Sequence, residues 1–98
     1  MPKTKHDRIA EQIAKKRKGE YNPVKGPDIV TQNFAVEIEV DKNKLSEGIR
    51  QLQGIKKRAY IAVPDKILKD AIERTKRTTI GVMDERGKIL KPSTRKKK

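Results

Sequence analysis

Apolar residues are scarce in this chain, and the scarcity limits what it can fold into. Ile, Leu, Val and Phe fill 22 of 98 positions, while charged residues make up 40%, a composition close to that of chains that stay unfolded. A chain this long buries roughly two-thirds of its unfolded surface as one domain, and a second domain has no room. The placement of the few apolar residues along helix stripes and strand faces therefore decides the fold.

From Thr4 to about Lys18, Ile9, Ala10, Ile13 and Ala14 recur at helical spacing, and Thr4 with Asp7 three residues on predicts a capping box. Gly19 suits the stop. "EYNPVKGP" (20–27) reads as a loop or short edge strand, because its prolines lack a ladder donor. "DIVT" (28–31) and "FAVEIEV" (34–40) are predicted strands joined by a tight turn at Gln32 and Asn33. In the second, Phe34, Val36, Ile38 and Val40 point one way and Ala35, Glu37 and Glu39 the other. "KNKLSEGIRQLQG" (42–54) repeats Leu45, Ile49 and Leu52 as a crossover helix, and "RAYIAVP" (58–64) follows as an apolar strand. Asp65 is the expected cap of a third helix with Ile67, Leu68, Ala71 and Ile72 inward, after which "TTIGVM", the turn "DERG" and "KIL" make a closing hairpin. The expectation is an α/β domain over residues 1–91, a central mixed sheet flanked by helices in the order α-β-β-α-β-α-β-β, with a basic tail at 92–98.

Lys and Arg total 26 against 13 Asp and Glu, for a net charge of +13, which predicts a polyanionic partner. Trp is absent, and Tyr and Phe total three, so contact with phosphates is expected in place of stacking on splayed bases. No cysteine and no apolar run of bilayer length occurs, and with no signal-like N-terminal segment a cytoplasmic protein without membrane contact is expected. Eleven isoleucines and high charge also match the composition of proteins from heat-adapted organisms. There is no Gly-rich phosphate loop, no Ser/His/Asp pattern and no Cys/His spacing, so ATP hydrolysis, acyl transfer and zinc binding lack support.

Against this charge, the carboxylates of Asp28, Glu37 and Glu39 stand out. Asp28 heads one strand and Glu37 lies on its hairpin partner, so their mutual repulsion calls for a cation between them. Oxygen donors suit Mg²⁺ or Mn²⁺ over Zn²⁺, and such an ion beside a phosphodiester supports hydrolysis. The bland reading makes Glu37 and Glu39 the wet face of a half-exposed strand.

"GPDIV", then "VEIEV", then "EGIRQLQG" and "RAYIAVP" resemble the PD-(D/E)XK nuclease superfamily, whose restriction-endonuclease-like core is a helix, a meander, a crossover helix and a further strand. The resemblance spans residues 8 to about 83. It implies metal binding by Asp28 and Glu37 with the Ile38 carbonyl as a further ligand, and a positioning role for Gln51, with Gln53 second, as in RecB-like and Holliday-resolvase-like branches. Glu11 falls where many branches carry an additional acid. The chain departs from the pattern at Glu39, which stands in place of the triplet lysine, so Glu39 becomes a third acid or base and Lys44 or Lys42 the source of positive charge. Ile55 occupies the position of a RecB-like tyrosine.

Lys15, Lys16, Arg17, Lys18, Arg50, Lys56, Lys57, Arg58, Arg95, Lys96 and Lys97 are the expected phosphate contacts. His6 reads as a solvated terminal residue, Gly26 as a turn glycine and Gly81 as a strand glycine allowing close approach. The expected activity is metal-dependent DNA cleavage on duplex or branched substrates, by a homodimer that presents one site to each strand. The alternatives are a catalytically silent DNA-binding module of the same fold and a basic RNA-binding protein, RNA being the lesser expectation.

Overall fold

The computed structural model describes residues 4–17, 20–21, 28–31, 33–55 and 57–94. The readings placed on Lys18, Gly19, Gly26, Gln32, Lys56, Arg95, Lys96 and Lys97 fall outside them. Helix α1 (Lys5–Arg17) precedes β1 (Glu20–Tyr21), β2 (Ile29–Val30), β3 (Phe34–Ile38), α2 (Leu45–Gln53), β4 (Arg58–Ala62), α3 (Leu68–Thr75), β5 (Gly81–Met83) and β6 (Ile89–Lys91). The chain is thus an α/β domain with a mixed sheet and helices on both faces. The six strands lie in sequence order across the sheet. The first three form an antiparallel meander, β3, β4 and β5 run parallel, and β6 returns antiparallel. Beyond the expected order there is one additional strand, β1, at the edge where "EYNPVKGP" left either possibility open.

Thr4 and Asp7 close the start of α1 reciprocally: the Asp7 N–H donates to Thr4 Oγ1 at 3.1 Å and the Thr4 N–H to Asp7 Oδ2 at 3.4 Å. At its far end the Arg17 guanidinium donates to the Gly87 carbonyl at 2.6 Å, tying α1 to the β5–β6 turn. That turn is the expected "DERG", with Gly87 at φ +84° and Asp84 Oδ1 accepting the N–H groups of Arg86 and Lys88. A positive φ is the conformation for which glycine has no steric cost.

The sheet divides the scarce apolar residues into two layers. On one face, α1 packs Ile9, Ala10 and Ile13 against Ile29, Val36, Ile38, Tyr60, Ala62 and Met83. On the other, α2 and α3 cover Ala59, Ile61, Val63, Ile80 and Val82 with Leu45, Ile49, Leu52, Ile67 and Ala71. β4 feeds both layers, since its alternate residues point to opposite faces; it is the central strand and four of its five residues are buried. The alternation read in 34–40 holds, with Val36 and Ile38 buried beneath α1 and Phe34 and Val40 packed at the margin.

Two expectations at the third helix are corrected. Asp65 is not its cap: it opens a 3₁₀ turn (Asp65–Ile67) behind Pro64, and its carboxylate faces Arg86 at 3.8 Å. Ile72 is exposed, and the inward stripe is Ile67, Ala71 and Thr75. The 3₁₀ turn advances the chain by about 120° per residue against 100° in an α-helix, which shifts the phase of α3. Thr75 is tolerated there because its hydroxyl donates to the Ala71 carbonyl at 2.8 Å. Residues 92–94, read as the start of a tail, are docked: Ser93 Oγ and the Thr94 N–H both donate to the Thr79 carbonyl, at 2.8 and 3.0 Å. Among the described residues no helix is long and apolar enough to cross a membrane.

Gly81 allows the close approach anticipated for it. A Cβ there would lie 2.5 Å from the Tyr60 ring and 2.6 Å from the Lys91 carbonyl. At Gly48 a Cβ would meet Ile61 and Glu37 at 3.4 and 3.8 Å, ordinary contact. Chemical denaturation should therefore show Gly81→Ala destabilised by about 1–3 kcal/mol from overpacking, while Gly48→Ala is neutral or gains up to about 1 kcal/mol of helix propensity. Equal stability of wild type and Gly81→Ala would show that the ring and strand can part without cost.

Candidate active site

Antiparallel pairing brings the carboxylates together. Ile29 lies opposite Val36 and Val30 opposite Ala35; one position further, Asp28 falls opposite Glu37, so both side chains leave the same face of the sheet. The ladder does not continue through backbone atoms at that point. The Ile38 N–H donates instead to Asp28 Oδ2 at 2.9 Å, which ends β2 at Ile29 and buries Asp28 to 8% exposure. Because a strand residue presents its N–H and C=O to the same edge, the Ile38 carbonyl also faces the Asp28 side.

The same Asp28 oxygen meets His6 Nε2 at 3.1 Å, with the imidazole one-third exposed. This corrects the reading of His6 as a solvated terminal residue. His6 precedes Ile9 and Ile13 by three and seven residues and so belongs to the inward stripe of α1, a signal legible in the sequence.

Glu37 is half-buried beneath Gly48 of α2. Burial, a hydrogen bond with Asp28 and the negative charges of Asp28 and Glu39 together push its carboxyl up from 4.5 to about 9. At neutral pH the two facing carboxyls therefore share a proton, Glu37 holding it and Asp28 accepting. Glu39 stands at the end of β3 with its N–H on the Ala62 carbonyl at 3.0 Å, and its Oε2 accepts the Asp41 N–H at 3.1 Å. That bond turns Glu39 toward its own loop, so it acts on Glu37 through charge.

Lys44 ends the 3₁₀ turn (Lys42–Lys44) that leads into α2, and Gly48 of α2 is the point where the helix passes over Glu37. Lys44 and Gln51 are both exposed on either side of that point. Lys42 is drawn away to Asp70, 3.6 Å distant, which leaves Lys44 as the cation of the pair nearer to the role. Glu11 is exposed on α1, about 140° around the helix from His6. Gln53 is exposed at the end of α2.

The expected phosphate contacts are dispersed. Lys15, Lys16, Arg50 and Arg58 are exposed. Arg17 is committed to the Gly87 carbonyl, and Lys57 Nζ donates to the Thr31 carbonyl at 3.2 Å, so both serve the fold.

Among the described residues no three His, Asp or Glu side chains gather around one metal-ligating point. Magnesium commonly takes only one or two carboxylates and completes its shell with water and substrate phosphate. A facing, hydrogen-bonded Asp–Glu pair has the donor chemistry for such an ion.

Glu37 also makes stability depend on pH. Its folded pKa is raised above the unfolded value, so its contribution is complete below about pH 4.5 and is lost as pH rises toward about 9. Thermal melts in EDTA should show Tm falling across this window, with Glu37→Gln flattening the fall. A wild-type profile no steeper than that of the variant would mean that Glu37 is ionised in the folded protein.

Comparisons with protein-family models, with curated proteins and with solved structures return no match.

Proposed function

We propose that this protein is a metal-dependent nuclease that hydrolyses phosphodiester bonds of DNA on a restriction-endonuclease-like core. One observation carries the reading: the carboxyls of Asp28 and Glu37, on adjacent antiparallel strands, are hydrogen-bonded to each other in a chain of net charge +13. The element order supports it too, since helix, meander, crossover helix and parallel strand are the parts the PD-(D/E)XK resemblance implies.

In this reading Asp28 and Glu37 would hold Mg²⁺ or Mn²⁺, which would supply Lewis-acid chemistry toward the phosphodiester and toward water. Asp28 is held for the task by the Ile38 N–H and His6, which fix the orientation of its carboxylate. Glu37 must release its proton as a cation is taken up, so metal affinity should rise with pH. To serve as the third acid or base, Glu39 would have to leave its bond to the Asp41 N–H. Lys44, at the end of the 3₁₀ turn before α2, would offset charge on the phosphate, and the exposed Gln51 of α2 would orient substrate.

The alternative, a silent DNA-binding module, draws on one observation: the residue in place of the triplet lysine is an acid turned to its own loop. The two readings part on cleavage. Linear, branched and single-stranded DNA incubated in Mg²⁺, Mn²⁺ or EDTA should be cut only with metal. Asp28→Asn, which keeps an oxygen to accept the Ile38 N–H, and Glu37→Gln should lower the rate about 100-fold or more, at or beyond what outer-shell changes cost, while binding DNA as wild type does. Lys44→Ala should lower kcat with KM little changed, and His6→Ala, by freeing the Asp28 carboxylate, should weaken Mn²⁺ and Mg²⁺ alike. Tight binding without cutting in either metal would overturn the enzyme reading and leave the binding module.

A further inference from the structure

Helix α1 carries its charges on separate flanks. Lys5, Arg8, Gln12 and Lys15 recur at i, i+3, i+7 and i+10, with Lys16 beside them, and all are exposed. Asp7 lies on the far flank, and Glu11 stands between the two, one turn from both Arg8 and Lys15. The basic line runs about 15 Å at 1.5 Å per residue, the length of four to five base pairs at about 3.4 Å each. An open concavity opens on this flank, lined by Lys5, Arg8, Ile9, Gln12 and Glu85, and the line starts one residue from His6, which touches Asp28.

From this arrangement we infer that the basic flank of α1 is the surface on which duplex DNA docks through its phosphate backbone. The inference deepens the nuclease reading by stating how the substrate lies against the site. Three observations select the occupant. The cations are one-sided and follow a line, as a charged backbone requires. The described Phe and Tyr rings, Phe34 and Tyr60, pack edge to face on each other with centroids 5.5 Å apart, so neither offers a platform for unpaired bases. A helix flank fits beside the B-form major groove, about 12 Å wide, whereas the A-form groove of duplex RNA is too narrow to admit it. Glu85 is the one acid of the concavity and opposes binding.

Binding of a 20-base-pair DNA duplex, followed by fluorescence anisotropy in EDTA over a range of salt, tests the surface without cleavage. The triple variant Lys5→Glu/Arg8→Glu/Lys15→Glu should lose more than tenfold in affinity and about 3 from the slope of log affinity against log salt, at roughly 0.9 per phosphate contact. The control Lys66→Glu/Lys69→Glu/Lys76→Glu makes the same change in net charge at exposed positions on and around α3 and should lose much less. The milder Lys5→Gln/Arg8→Gln/Lys15→Gln should move in the same direction with an unchanged melt, and Glu85→Gln should tighten binding about two- to fivefold. Equal losses in the α1 and α3 variants, or equal affinity for an RNA duplex of the same length, would overturn the assignment. Binding that depends on α1 in a protein that cuts nothing would sustain this surface and sink the nuclease reading.

Discussion

The side chain of Asp28 stands where a backbone carbonyl would otherwise continue the β2–β3 ladder. By accepting the Ile38 N–H it ends one strand, and by meeting His6 it anchors the first helix to the same point. A carboxylate that accepts a backbone donor in a buried position is held more firmly than one in water, because the bond is charge-assisted and its loss would leave both groups without partners. The acid read as a candidate ligand is therefore also a structural joint between α1, β2 and β3.

That joint makes Glu37 unusual. Its neighbour in register already carries the negative charge, and α2 passes close above it at a residue without a side chain. A Cβ at Gly48 would meet Glu37 at ordinary contact distance, so the helix covers the acid without crowding it.

Much of the architecture was legible because few apolar residues are available and each has a regular position. The stripes of α1 and α2, the alternation in 34–40, the capping box at Thr4 and Asp7 and the "DERG" turn all follow from local periodicity or local hydrogen bonding. Ile72 and Asp65 misled because a 3₁₀ turn changes the helical phase, and nothing local distinguishes that turn from the first turn of an α-helix. His6 was passed over on its position near the terminus, although its spacing from Ile9 and Ile13 placed it on the buried stripe. Arg17 and Lys57 read as phosphate contacts because composition cannot tell a solvated cation from one that satisfies a distant carbonyl.

By itself the sequence determined which residues face inward along each element and which acids share a strand face, because side-chain direction follows the local period of the backbone. Tertiary structure decided that Asp28 meets both Ile38 and His6, that Glu37 lies under Gly48 with its carboxyl pushed up, and that Lys42 pairs with Asp70. These are contacts between residues far apart in the chain or on different elements. They depend on strand register and helix crossing, which burial of the whole core sets at once and no local pattern encodes.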